Sequence, residues 1–193
     1  MLRRSYDWVL RWAETPYGVP ALFVLAFAES SFFPIPPDVL LIALALGMPS
    51  RSMRFALICT IGSVLGGMLG YFIGHAFFAL IGIPILQFYG AMETFDLVRE
   101  MFLKWDIWFI AVAGLTPIPY KVFTIAAGAF GMNFPLFVIV SFFSRGARFF
   151  LLGALIWKFG SPIKAFIDRY FNLLSILFFV LLVLGFVAVK FLF

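Results

Sequence analysis

The amino-acid sequence predicts an all-α integral membrane protein, an inverted repeat with two opposed re-entrant helical hairpins plus spanning helices. Three observations predict this fold class. Hydrophobic side chains make up 64% of the 193 residues, charged side chains make up 12%, and the mean hydropathy is +1.11. Soluble domains are only about half apolar and about a quarter charged. An acidic, proline-rich stretch at 29–38 interrupts an apolar run, and part of it recurs near residue 117.

The recurrence relates two halves of the chain. Six of the ten positions from Pro34 to Ala43 have the same residue in the second copy, where Lys121 stands in place of Asp38. We therefore predict a single membrane domain, 1–193, with repeat 1 at about 1–83, repeat 2 at about 84–160 and a C-terminal spanning helix at about 172–193. Prolines remove backbone donors and turn the chain. The predicted re-entrant loop prolines are Pro34, Pro36 and Pro37 in the first copy and Pro117 and Pro119 in the second.

The first half predicts three elements in order. Residues 3–14 mix charges and tryptophans at helical spacing, which is typical of an interfacial helix. The limb from Gly18 to Phe33 is about 24 Å long as a helix, short of a hydrocarbon core of about 30 Å, so it should turn back within the membrane. A spanning helix should follow from Phe55 to about Ile81. Its small residues recur every fourth position, which favours close helix packing: Gly62, Gly66, Gly70 and Gly74.

The second half repeats this order. Residues 91–105 predict a second interfacial helix, Ile107 to Gly131 the second hairpin, and Phe134 to about Trp157 a spanning helix. A final apolar run, 173–193, predicts the last span.

The positive charges predict the orientation. Lys and Arg groups at the N-terminus, at 49–54 and at 158–170 favour the cytoplasmic side, whereas the acidic connection 84–106 favours the outside. Lys and Arg at the ends of apolar runs also explain the net charge of +5 without nucleic acid.

Five ionisable residues fall at predicted membrane depth, where each costs about 2.5 to 3.5 kcal/mol on insertion scales. They are the candidate substrate or proton pathway: Glu29, Asp38, Lys121, Arg145 and Arg148. Their formal sum is plus one, so pairing both carboxylates leaves one cation for a ligand. Arg145 and Arg148 share a helix face and can offer donors to phosphate or carboxylate oxygens. Glu29 is a candidate proton carrier. The alternative is that these charges only tie the two halves together.

Enzymatic, metal and cofactor chemistry find little support. Ser144-Arg145 invites comparison with membrane phosphatases, which need several histidines, but His75 is the only histidine. A lone histidine beside a glycine face is more typical of a packing residue than of a proton carrier. Cys59 is the only cysteine, so no disulfide forms within the chain. We predict no enzyme activity, no cofactor and no metal.

At these residues the sequence resembles the DedA family, also described as VTT-domain membrane proteins, and its YqaA-like branch. Glu29 with the run 33–38 is similar to the family's acidic first re-entrant loop, and 116–128 with Arg145-Gly146 is similar to its second half. The family's second loop typically has two arginines flanking its proline. Here Gly114 and Tyr120 lie near those positions and only Lys121 is adjacent.

The resemblance implies a multi-pass protein of the bacterial cytoplasmic (inner) membrane, and the positive charges predict that its N-terminus lies in the cytoplasm. It also implies movement of polyprenyl phosphates or phospholipids between leaflets, with proton coupling proposed for some members. The leading hypothesis is therefore transport of a lipid with an anionic phosphate head group. The alternatives are a proton-coupled carrier of small ions or solutes and a non-transporting scaffold for envelope integrity. Proton coupling and a homo-oligomeric state stay open.

Overall fold

The computed structural model describes residues 17–33, 36–90, 92–116, 118–160 and 162. Helices joined by short turns make up these ranges, which contain no β-strand, and this confirms the all-α prediction. The predicted interfacial helix 3–14, the final span 173–193, Pro34 and Pro117 lie outside the described residues.

The described ranges contain eight α-helices. A short 3₁₀ turn, Pro49–Arg51, leads into the third, and a π-helical turn, Phe78–Gly82, joins the third to the fourth. The helices are α1 Gly18–Ser31, α2 Asp38–Gly47, α3 Ser52–Phe77, α4 Ile83–Tyr89, α5 Met92–Lys104, α6 Asp106–Leu115, α7 Tyr120–Phe130 and α8 Phe134–Gly160.

Two helical runs are long and apolar enough to cross a membrane, Pro49–Tyr89 with 41 residues and Phe134–Gly160 with 27. The first run is longer than the predicted span from Phe55 to Ile81. Pro84 does not end it, because a proline in the first turn of α4 needs no backbone N–H partner. The π-helical turn keeps the axis continuous between α3 and α4.

Four short apolar helices form two consecutive pairs, α1 with α2 and α6 with α7. They contain 10 to 14 residues each, about 15 to 21 Å. The first pair is connected by residues 32–37 and the second by 116–119; we call these connections the first and second tips. Pro37 and Pro119 immediately precede α2 and α7. At the far end of α7, Gly131 adopts a φ of 73°, which ends the helix in a left-handed turn.

The glycine stripe of α3 brings α1 and α7 into backbone contact with that helix. A Cβ on Gly62 would lie 2.7 Å from the Phe23 carbonyl oxygen, and a Cβ on Gly66 would overlap the Phe27 backbone. Further along α3, Gly74 faces the backbone of Ile125 in the same manner. Helices α1 and α7 therefore run in the same direction as α3 and follow one another along it. The end of α1 meets the start of α7 beside Gly70.

Helix α8 packs antiparallel to α3 and closes the other side. A Cβ on Gly153 would lie 3.2 Å from the Ala56 Cβ, and one on Gly160 would lie 3.2 Å from the Pro49 ring. The end of α8 therefore lies beside the start of the long run, and both belong to the same end of the molecule.

Two apolar cores result, and each belongs to one helix pair. The first joins α1 and α2 to the first half of α3 and the second half of α8, with Leu22, Leu41, Phe55 and Phe149 buried in it. The second joins α6 and α7 to the other halves of α3 and α8, and it includes Ile110 and Phe137. Fully buried hydroxyl groups lie between the two cores.

Gly66→Ala is expected to lower the free energy of unfolding by about 1 to 3 kcal/mol, the usual cost of overpacking. Its new Cβ would overlap the Phe27 backbone, which cannot move unless α1 moves. Gly67→Ala is the matched control, because its Cβ would lie 3.4 Å from the Tyr120 ring, an ordinary contact. Unfolding in detergent micelles with increasing dodecyl sulfate measures both. Equal unfolding midpoints for the two variants would contradict the assigned close approach.

Candidate functional site

The two tips meet at the centre of the molecule. The Lys121 ammonium at the start of α7 donates to the Phe33 carbonyl in the first tip, at 3.3 Å. One helical turn later, the Thr124 hydroxyl lies 3.2 Å from the Ser30 carbonyl at the end of α1. The Ser30 carbonyl belongs to the last turn of α1, where carbonyl groups lack an intrahelical partner, and the Phe33 carbonyl lies just beyond that turn. The same Thr124 hydroxyl also lies 2.9 Å from the Lys121 carbonyl of its own helix.

The first buried ion pair joins α1 to α8. The Arg145 guanidinium donates from Nη2 to Glu29 Oε2 at 2.8 Å, and the two side chains are 3% and 13% exposed. The guanidinium carbon also lies 5.0 Å from the Tyr120 ring centroid and 4.6 Å from that of Phe149. Two aromatic faces and a carboxylate therefore stabilise a cation that is removed from water.

Two serines complete a closed ring of hydrogen bonds around this pair. Arg145 Nε donates to Ser63 Oγ at 2.6 Å, Ser63 Oγ lies 2.7 Å from Ser30 Oγ, and Ser30 Oγ donates to Glu29 Oε2 at 3.0 Å. A guanidinium can only donate and an ionised carboxylate can only accept. Ser63 therefore donates to Ser30, which donates to Glu29, so both paths around the ring run from the guanidinium donor to the carboxylate acceptor.

The second ion pair joins α2 to α8 and reaches the second tip. Arg148 Nε and Nη2 donate to the two carboxylate oxygens of Asp38, both at 3.0 Å, in a bidentate arrangement. Its remaining nitrogen, Nη1, donates to the Thr116 carbonyl. The two side chains are 15% and 16% exposed. One arginine thus bridges both tips, and its planar fork suits this geometry better than an ammonium would.

Lys121 is the cation left without a carboxylate. Among the described residues, the ion pairs are those of Arg145 with Glu29 and of Arg148 with Asp38. Its ammonium is bound to a backbone carbonyl, which is neutral, and its side chain is only partly buried.

The structure thus brings together all five of the ionisable residues that the sequence singled out. The expectation that Arg145 and Arg148 offer their donors together to one ligand is wrong. Arg145 and Arg148 point to different carboxylates on α1 and α2, so they present no common fork to a ligand. The predicted surplus of one positive charge lies on Lys121 instead. His75 lies outside the site, exposed on α3 with its ring 6.5 Å from that of Tyr71.

Sequence reasoning missed the buried hydroxyl groups. Ser63 and Ser30 organise the first pair, and the Tyr120 hydroxyl donates to Ser141. Each of these residues is fully buried. In the sequence they stand out as single hydroxyl residues inside apolar helices. That pattern does not identify a site, because such a residue can also bond to a carbonyl of its own helix, as Thr60 does.

Comparison of the sequence with known proteins finds a family match and several relatives. Residues 35–158 match the VTT domain. A Haemophilus influenzae protein described only as uncharacterized is 39% identical over 168 residues, 84% of this chain and 86% of the relative. An uncharacterized Methanocaldococcus jannaschii protein is 28% identical over 133 residues, 68% and 79% of the respective chains. A Staphylococcus aureus protein named undecaprenyl phosphate transporter A is 26% identical over 153 residues, 75% and 70% of the respective chains. No solved structure matches this chain significantly.

Arg148→Gln is expected to lower the free energy of unfolding by about 3 to 5 kcal/mol, because it leaves the Asp38 carboxylate without its partner. The double variant Asp38→Asn, Arg148→Gln should recover part of that loss, since it removes both charges. Lys104→Gln, at an exposed position on α5, is the control and should change little. The dodecyl sulfate unfolding midpoint reports all three. A double variant less stable than Arg148→Gln alone would refute the assigned pairing.

Proposed function

This chain belongs to the VTT-domain (DedA) family, and we propose that it is a membrane transporter that moves an anionic lipid between leaflets. In this proposal the whole chain is one membrane domain. The two helix pairs are re-entrant hairpins that enter from opposite sides, as the halves of an inverted repeat. The end-to-end placement of α1 and α7 along α3 supports that arrangement.

The observation that carries the proposal is the cation without a carboxylate at the meeting point of the tips. Both arginines are already satisfied by acids, so they hold the tips together. Lys121 can exchange the neutral Phe33 carbonyl for a phosphate oxygen without breaking an ion pair. A charge-assisted bond of this kind is stronger than one to a neutral carbonyl.

The surface around Lys121 suits a lipid. Phe32, Phe33 and Val122 beside it are 64%, 37% and 55% exposed. A head group bound at the tips can therefore keep its tails in contact with apolar side chains and the surrounding hydrocarbon. The name of the Staphylococcus aureus relative supports a lipid phosphate as the substrate. Such transport needs no covalent step, so we propose a transporter and not an enzyme.

Lys121→Gln is expected to reduce translocation of a labelled anionic phospholipid in proteoliposomes at least tenfold while leaving stability nearly unchanged, because its partner is a carbonyl and not a carboxylate. Lys121→Arg keeps the charge and should retain most of the flux. Lys104→Gln controls for loss of a cation elsewhere. Parental flux in a folded Lys121→Gln protein would exclude this residue as the head-group ligand. Flux of a small anion without lipid movement would favour the solute-carrier alternative.

The proposed orientation places 49–54 in the cytoplasm and 84–106 outside, in the inner membrane. It is supported by the contact of Gly160 with Pro49, which puts two basic regions at one end. In a Cys59→Ser background, a membrane-impermeant thiol reagent added to intact cells should label Glu93→Cys and spare Arg51→Cys. The reverse labelling would invert the orientation.

A further inference from the structure

The charged side chains at the tips have a net charge of plus one. Glu29 is neutralised by Arg145 and Asp38 by Arg148, so the only uncompensated charge among the described residues at the tips is the single positive charge of Lys121. The site can neutralise one negative charge on a ligand, and a second would stay uncompensated. An uncompensated charge at membrane depth is strongly disfavoured.

No other described group facing the tips can supply a second cation. The titratable residues on the elements packed there are Glu29 on α1, Asp38 on α2, Arg54, Cys59, Tyr71 and His75 on α3, Tyr120 and Lys121 on α7, and Arg145, Arg148 and Lys158 on α8. Arg54 and Lys158 are exposed near the end of the molecule where Gly160 meets Pro49, and His75 is exposed beside Gly128, about two turns beyond Lys121, so these three do not face the tips. The one titratable residue of α6, Asp106, begins that helix and lies at the end away from the tip. Thiol and phenol groups gain only negative charge when they titrate.

We propose that this site passes a phosphate head group only while the head group carries a single negative charge. The inference rests on the proposed function and narrows its substrate. A phosphodiester lipid meets this condition at any neutral pH. A phosphomonoester lipid meets it only after taking up a proton, since its second pKa is about 6.

In this proposal the lipid phosphate carries the proton across the membrane, and no carboxylate of the protein is required to carry it. A phosphomonoester would take a proton from water on one side, cross as the monoanion and release the proton on the other side. Glu29 and Asp38 would keep their arginine partners throughout, which fits the closed hydrogen-bond ring in which the Glu29 carboxylate accepts from both Arg145 and Ser30.

Two lipids with identical acyl chains test the inference on the unaltered protein. Labelled phosphatidic acid, a monoester, and phosphatidylglycerol, a diester, are assayed in proteoliposomes with protein-free vesicles subtracted. From about pH 5.5 to about pH 7.5, the protein-dependent flux of phosphatidic acid should fall by about 25-fold, following its monoanion. The flux of phosphatidylglycerol should stay constant, so it controls for titration of the protein itself.

An added cation provides a second measurement. Phe32→Lys places a positive charge at an exposed position of the first tip, where it need not disturb the buried pairs, and Phe32→Gln is its uncharged control. Phe32→Lys should restore phosphatidic acid flux at about pH 7.5, and Phe32→Gln should not. Equal pH dependence for the two lipids, or undiminished transport of the dianion, would overturn the inference and leave lipid transport standing. If folded protein moves neither lipid at either pH, lipid transport and the inference both fail.

Discussion

Neutralisation of buried charge is the constraint on which the arrangement of this protein depends. Two carboxylates in the first helix pair would be costly alone, and two arginines on α8 satisfy them. Because Arg148 also holds the Thr116 carbonyl, the same helix ties the first pair to the second tip. The apolar cores on either side contribute hydrophobic contact, but the charged layer between them determines how one helix pair meets the other.

Packing and charge depend on each other in this structure. The tips can meet only if α1 and α7 lie against α3 at backbone distance, which the absence of side chains at Gly66 and Gly74 permits. Close approach in turn brings Ser63 of α3 within reach of Arg145 and Ser30. A helix with larger residues in the stripe would separate these partners and leave a buried guanidinium only partly satisfied. Small residues here serve the polar site as well as helix contact.

Sequence reasoning located the elements better than the partners. Apolar runs and prolines predicted the short helices and a span from Phe134 to about Trp157, which the structure extends to Gly160, because those signals are local. The long run passes beyond Ile81, since a proline at a first helical turn does not stop a helix. Spacing along α8 could show that Arg145 and Arg148 share a face, but it could not show which carboxylate each would bind. The partner of each arginine depends on where Glu29 and Asp38 lie along the axis of α8, and only the folded structure determines those positions.

Because α1 and α7 follow one another along α3 in the same direction, the two helices together form one interrupted helix. With 14 and 11 residues they extend for about 37 Å together, enough for a hydrocarbon core of about 30 Å. They amount to one interrupted helix of membrane-spanning length, assembled from two distant chain segments. The dipoles of its two parts point the same way, so carbonyl oxygens of one part face the amide and ammonium groups of the other across the break. A continuous helix would use those groups in its own backbone hydrogen bonds, whereas a split helix leaves them free to bond to other partners, as the Phe33 carbonyl does to Lys121.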